Sequence, residues 1–263
     1  MDGLGVIFAV LFSLLYPLVA STLVWRWKLS GEPFKPVLVA FLAAAVMFYI
    51  AYLRKVYVFF LSGIPLYTVD LIATGFVEEA AKLLVLLTPA VKGRLTPSNG
   101  AFYGLVAGFG FGAGEALLVL ANSALAIPSL MVYTIPLYFV KIILPEIVVT
   151  WFFDFVILYY FLLPLLAIIS SGPLVFSIPL LGIYERAVVV ILHGTLTGIV
   201  GWGLAKGETL KFYLAAVGLH ILIDFFAVLY ALELVGVLTV EVIITAITVT
   251  SFLYVVMKGG QQA

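Results

Sequence analysis

Apolar stretches follow one another along the chain, separated only by short polar or Pro/Gly interruptions. A helix needs about 20 predominantly apolar residues to cross the hydrocarbon core of a bilayer, and stretches of that length recur here. The pattern predicts an all-α, polytopic bundle of about eight or nine transmembrane helices, with residues 1–263 forming one integral membrane domain. The predicted spans are 4–25, 36–54, 67–88, 100–121, 132–160, 163–181, 184–205, 210–231 and 237–257.

Prolines interrupt the fifth and sixth predicted spans. A proline inside a helix removes a backbone donor and kinks or ends the helix. Residues 128–182 therefore fit either two kinked helices or one helix followed by a re-entrant segment. The prolines concerned are Pro136, Pro145, Pro164, Pro173 and Pro179.

Basic residues in the connections predict the orientation in the membrane. With nine spans, one side receives only Arg54 and Lys55, and an eight-span chain would lose this asymmetry. By the positive-inside rule the amino terminus is expected outside and the carboxyl terminus in the cytoplasm of an integral, multi-pass cell-membrane protein. The other side receives Arg26, Lys28, Lys35, Lys92, Arg94, Lys206, Lys211 and Lys258.

Composition agrees with this class, since 65% of the residues are hydrophobic and only 10% are charged. The lipid bilayer is the predicted environment. Thirteen basic and thirteen acidic residues balance, so the chain has no polybasic arm and nucleic acid is not an expected partner. The absence of cysteine excludes thiol catalysis, disulfides and thiolate metal sites.

The third predicted span contains the sequence Glu78-Glu79-Ala80-Ala81-Lys82. An ionisable group inside a bilayer is energetically expensive unless it is paired or hydrated, so such residues are candidates for function. Lys82 lies four residues after Glu78 and three after Glu79, and either carboxylate can pair with it. One interpretation is a bridge that only tethers helices. However, one lysine neutralises only one of the two carboxylates, and the second is then left for chemistry.

Glu115 ends a glycine-rich part of the fourth predicted span. Gly104, Gly108 and Gly112 recur every four residues on one helix face, the pattern that lets helix backbones approach closely in lipid. A carboxylate beside such a close contact needs a partner that supplies a proton or a hydrogen-bond donor. Glu115 is therefore a candidate site residue.

The two histidines of the chain stand in the seventh and eighth predicted spans. Arg186, His193 and Thr197 fall on one stripe of the seventh span. His220 and Asp224 are four residues apart in the eighth span, where the aspartate is expected to fix the tautomer of the imidazole.

The depths of these groups predict that they meet. Counted from the outer end of each span, they lie about 9 to 16 Å below the outer surface, in the outer half of an apolar core about 30 Å thick. We expect Glu78, Glu115, His193 and His220 to line one internal polar cavity that opens toward the outer half of the bilayer.

Four short motifs, taken together, resemble those of a known superfamily. The chain is similar to the PrsW-like and YhfC-like membrane proteins, which belong with the type II CAAX prenyl proteases. The similarity covers roughly residues 67–231, the expected catalytic core. The motifs are Glu78-Glu79-x-x-Lys82, Phe111-x-x-x-Glu115, His193-x-x-x-Thr197 and His220-x-x-x-Asp224, in that order.

The resemblance implies hydrolysis of a membrane-embedded or membrane-proximal polypeptide by a glutamate-activated water. In that scheme Glu78 is the general base, and His193 helps to orient the water. His220 and Asp224 stabilise the developing oxyanion, and Glu79 and Lys82 orient the base. The chain departs from the CAAX proteases at two positions. They have a histidine where this chain has Glu115, and their basic residue follows the glutamate pair one position later than Lys82.

Other functions are compatible with the same residues. A non-catalytic membrane scaffold related to the anterior pharynx-defective subunit of γ-secretase would also keep intramembrane histidines. A proton-coupled transporter would use buried carboxylates and histidines as well. No cofactor is expected on the basis of the resemblance. A zinc ion held by Glu78, His193 and His220 is the alternative, because two imidazoles and a carboxylate suit that metal.

Overall fold

A computed structural model describes residues 4–124 and 180–260, and the described chain is helical. The predicted helical class is confirmed. The predicted spans 132–160 and, apart from its last residues, 163–181 lie outside the described residues. The helices are α1 (Leu4–Lys28), α2 (Phe34–Tyr52), α3 (Gly63–Leu86), α4 (Pro89–Lys92), α5 (Gly100–Ala124), α6 (Leu180–Ala205), α7 (Thr209–Ala231) and α8 (Val237–Gly260), with a 3₁₀ helix at Leu53–Phe59 after α2.

Several of these helices are long and apolar enough to cross a membrane, which makes the chain a membrane protein. Helix α3 also has sufficient length, with 24 residues, but it carries Asp70, Glu78, Glu79 and Lys82. These charges distinguish α3 from the apolar spans. The five segments that meet both criteria within the described residues are Phe34–Val58, Gly100–Val119, Leu181–Ala205, Thr209–Ala231 and Val237–Gly259.

Helices α5 and α6 form the central, closely packed pair of the bundle. A Cβ atom built on Gly104 would lie 2.7 Å from Cα of Gly198, and one built on Gly112 would lie 2.9 Å from Cα of Val190. Distances this short leave no room for a side chain, so the glycines predicted to permit close packing do so. The contacts run in opposite order along the two helices, which are therefore antiparallel.

Glu32, in the connection between α1 and α2, holds one end of the bundle together. Its carboxylate accepts hydrogen bonds from Asn99 at 3.1 Å, Tyr103 at 3.1 Å and Arg94 at 3.4 Å. The α1–α2 connection and the start of α5 therefore lie at the same end. The alternating arrangement of connections that the sequence predicts agrees with this contact.

Helix α3 packs against α7, and this contact positions the charged part of α3. A Cβ atom on Gly75 would lie 2.6 Å from the Ile221 side chain, and the Tyr213 hydroxyl donates to the carbonyl oxygen of Phe76 at 2.9 Å. The next turn of α3 carries Glu78 and Glu79, both buried. The glutamates are thereby placed next to His220 of α7.

Candidate functional site

A cavity of about 420 Å³ lies between α2, the 3₁₀ helix, α3, α5, α6, α7 and α8. The four residues predicted to share one cavity, Glu78, Glu115, His193 and His220, all line it. Glu79 and Lys82 lie behind its wall. The charged and imidazole side chains of the lining are Arg54, Lys55, Asp70, Glu78, Glu115, Glu185, Arg186, His193, His220 and Asp224.

Lys82 pairs with Glu79 rather than with Glu78. The Nζ atom of Lys82 lies 2.6 Å from Oε1 of Glu79, and both side chains are 0% exposed. The ammonium also lies 4.8 Å from the ring centroid of Phe111, within the range of a cation–π contact. Of the two pairings that the sequence allowed, the i, i+3 pairing is formed. Glu78 is left to a different partner.

Lys82 also fixes the hydrogen-bonding state of His193. Its Nζ atom lies 2.9 Å from Nδ1 of His193, and the other ring nitrogen, Nε2, lies 2.5 Å from Oε2 of Glu115. An ammonium has donors and no acceptor, so Nδ1 must accept. The proton of a neutral ring is then on Nε2, which donates to Glu115. His193 therefore connects α3 to α5.

Glu115 receives a second donor from α6. Nη1 of Arg186 lies 2.9 Å from Oε1 of Glu115, while Nη2 of the same guanidinium binds Glu185. The partner that the sequence required for Glu115 is thus identified as Arg186 together with His193. Thr197 lies deeper in the same helix, where its hydroxyl donates to the carbonyl oxygen of His193 at 2.7 Å.

His220 hydrogen-bonds to Glu79 and not to Asp224. Its Nδ1 atom lies 2.7 Å from Oε1 of Glu79, whereas Nε2 is 3.6 Å from Oδ2 of Asp224 and 3.8 Å from Oε2 of Glu78. The prediction that Asp224 fixes the imidazole tautomer is therefore wrong, because the 3.6 Å separation exceeds hydrogen-bond distance. Glu79, on the neighbouring helix, has that role. Nε2 faces the cavity between two carboxylates.

Glu78 is paired with Arg54, a residue that the sequence did not indicate as part of the site. Nη2 of Arg54 binds Oε1 of Glu78 and lies 3.0 Å from the Thr74 hydroxyl. Next to it, Asp70 binds Lys55 and Tyr57. Asp70, Thr74 and Glu78 are each four residues apart, so they lie on one face of α3. This polar face is the sequence signal that α3 needs polar partners here.

His193 does not suit the zinc set considered from the sequence. Both of its ring nitrogens are engaged, one by the Lys82 ammonium and the other by Glu115, so neither offers a lone pair to a metal. Across the described residues, no three His, Asp or Glu side chains are grouped as metal ligands. His220 keeps one nitrogen, Nε2, toward the cavity.

The chain matches no protein-family profile, no curated protein and no solved structure. The resemblance to PrsW-like and YhfC-like proteins therefore stays a prediction.

Proposed function

We propose that this chain is an intramembrane endopeptidase that hydrolyses a membrane-embedded or membrane-proximal polypeptide with a water activated by Glu78. The supporting observation is the 3.8 Å separation between Oε2 of Glu78 and Nε2 of His220, both facing the cavity. This gap is too long for a direct hydrogen bond and suits one water that contacts both atoms. The second glutamate oxygen is held by Arg54, which leaves Oε2 as the proton acceptor.

The reaction begins when Oε2 of Glu78 takes a proton from the water and the water oxygen attacks the scissile carbonyl carbon. The electron pair of the carbonyl bond moves to its oxygen and forms an oxyanion. When the adduct collapses, the C–N bond breaks and the protonated Glu78 returns its proton to the leaving nitrogen. The products are a new carboxyl terminus and a new amino terminus.

His220 is the proposed oxyanion donor. Its Nδ1 atom is bonded to Glu79, so Nε2 is the nitrogen that reaches the cavity. Nε2 can donate to an oxyanion only when the ring carries protons on both nitrogens. An ionised aspartate has no donor of its own, and Asp224 therefore acts on the oxyanion through His220. Lys82 and Glu79 hold the imidazole in place from behind.

The mechanism needs no metal, because the described side chains supply the base and the donor.

A non-catalytic scaffold is the second candidate, and one specific observation favours it. Each of the three glutamates in the four motifs has a cation at ion-pair distance. The pairs are Arg54 with Glu78, Lys82 with Glu79 and Arg186 with Glu115. Such a fully paired network would also serve only to join helices.

We further propose nine spans with an outer amino terminus and a cytoplasmic carboxyl terminus. The antiparallel packing of α5 and α6 places the end of α5 and the start of α6 at the same end of the bundle. That arrangement supports nine spans over eight, because it calls for an even number of crossings between α5 and α6.

Cleavage of a library of membrane-spanning peptides by the purified chain, with parent and Glu78→Gln protein in parallel, tests the proposed function. The amide keeps the shape of the glutamate but cannot accept the proton, so turnover should fall by about 10² to 10⁴ while the protein still folds. Glu208→Gln, which changes an exposed carboxylate, is the matched control and should cleave at the parental rate. Equal cleavage by parent and Glu78→Gln protein would exclude Glu78 as the base and leave the scaffold.

A further inference from the structure

Arg54 and Lys55 are consecutive residues that bind two different carboxylates of α3. Arg54 binds Glu78, and Lys55 binds Asp70, which lies two helical turns away from Glu78. Both bridges start from the 3₁₀ helix Leu53–Phe59. The chain thus contains two ion pairs from one short segment, only one of which touches the proposed base.

The guanidinium of Arg54 is held at three points. Its Nη1 atom donates to the carbonyl oxygen of Ala51 at 2.9 Å, and Nη2 donates to the Thr74 hydroxyl at 3.0 Å and to Oε1 of Glu78. The side chain is only 7% exposed. A planar group with three fixed acceptors has one orientation, so the carboxylate that it binds is oriented as well.

Thr74 connects this arrangement to the second bridge. Its hydroxyl accepts from Arg54 and lies 3.5 Å from Oδ1 of Asp70. Asp70 in turn is held by Lys55 and Tyr57. Hydrogen bonds from the 3₁₀ helix therefore run along one face of α3. The hydrogen bond from Arg54, which orients Glu78, is at one end of this row.

We propose that Arg54 is a positioning residue for the hydrolytic reaction: it holds Oε1 of Glu78 so that Oε2 faces His220 and the water between them. This inference rests on the proposed function, because it assigns Arg54 a role through Glu78. It adds a residue from outside the four motifs and from a segment that hydropathy alone places at the end of a span.

The first test compares the kinetics of Arg54→Gln and Lys55→Gln, measured as kcat and KM on one peptide cleaved by the parent. Arg54→Gln should lower kcat about 10-fold to 10²-fold, the size of effect that a misplaced catalytic group produces, with KM within about twofold. Lys55→Gln removes the neighbouring bridge without touching Glu78, and its kcat should fall much less than that of Arg54→Gln. An equal loss of kcat in both variants would show that the two ion pairs only tether the 3₁₀ helix to α3, and this result would overturn the proposal.

Chemical rescue with guanidinium ion separates a positioning role of Arg54 from a role that only tethers the 3₁₀ helix to α3. Guanidinium ion added at millimolar concentration should restore part of the kcat of Arg54→Gln and should not change Lys55→Gln. Arg54→Lys keeps the charge but loses the planar fork, so it should lie between parent and Arg54→Gln in kcat. If Arg54→Gln does not fold, as judged by its melting temperature, Arg54→Lys carries the comparison with Lys55→Gln.

The outcomes separate the two proposals. When the parent cleaves and Glu78→Gln does not, an unchanged or increased kcat in Arg54→Gln overturns the role of Arg54 alone. When parent and Glu78→Gln cleave equally, the proposed function and the inference built on it both fail.

Discussion

Lys82 binds His193, with 2.9 Å between Nζ of the lysine and Nδ1 of the imidazole. The same ammonium lies 2.6 Å from Oε1 of Glu79, which in turn lies 2.7 Å from Nδ1 of His220. One buried cation therefore connects both histidines of the chain. The two histidines nevertheless differ. Both ring nitrogens of His193 are engaged, whereas His220 keeps Nε2 toward the cavity.

His220→Gln should reduce peptide cleavage by about 10² or more, because it removes the proposed oxyanion donor. The corresponding change on the other histidine, His193→Gln, serves as the comparison. It should affect turnover less, since His193 has no free nitrogen for the reacting groups. Initial rates at saturating peptide measure the difference. A greater loss in His193→Gln than in His220→Gln would contradict the assignment.

Lys82→Met should destabilise the protein by about 3 kcal/mol or more, the usual effect of removing one partner of a buried ion pair. The change leaves Glu79 without its cation at a site that is 0% exposed. Lys55→Met is the matched control, because Lys55 and Asp70 are 15% and 33% exposed and water can replace the lost partner.

Thermal unfolding in detergent, followed by tryptophan fluorescence, compares these two lysine variants with Glu115→Gln. The order of melting temperatures should be Lys82→Met below Glu115→Gln and Lys55→Met. An unchanged melting temperature in Lys82→Met would refute the buried pair.

Gly104→Ala should lower the melting temperature by several degrees. The added Cβ would lie 2.7 Å from Cα of Gly198, a backbone atom that cannot move unless α5 and α6 separate. Overpacking of this kind costs about 1 to 3 kcal/mol. Gly218→Ala is the control, because a Cβ at that position has nothing within 4 Å. Similar melting temperatures for the two alanine variants would show that the helix pair tolerates separation.

Single cysteines can test the proposed orientation, because the chain has none of its own. Cysteines at Gly93 and Lys206 should react with a membrane-impermeant maleimide only from the cytoplasmic side. Cysteines at Ser62 and Gly236 should react only from the outside. Labelling of intact cells against inverted vesicles measures the side. Reaction of Ser62→Cys and Gly93→Cys from the same side would exclude the alternating arrangement.

The helices and much of the cavity lining could be predicted from the sequence, whereas the partners of the charged residues largely could not. The spans can be predicted because a helix that crosses a bilayer needs a long apolar run. The pairing of Glu79 with Lys82 is also accessible, because their spacing within one helix limits their possible contacts. Arg54 is not predictable as a site residue because it stands at the end of an apolar run, where a basic residue is typical of a connection outside the membrane. Its contact with Glu78 joins residues 24 positions apart, and only helix packing brings them together.

The choice between Asp224 and Glu79 as partner of His220 has a similar origin. Asp224 is four residues away on the same helix, which makes it the expected partner from the sequence. Glu79 is on α3, and the close contact of Gly75 with Ile221 brings it within reach. A close helix contact one turn before the glutamates thus accompanies the hydrogen bond between Glu79 and the histidine.

The close helix contacts also bear on how the cavity could widen. Glycines of α5 pack against α6, and Gly75 of α3 packs against the Ile221 side chain of α7. The hydrogen bond between Lys82 and His193 joins α3 directly to α6. A motion that widens the cavity by parting α3 from α6 therefore has to break this buried hydrogen bond, so Lys82 resists opening of the cavity.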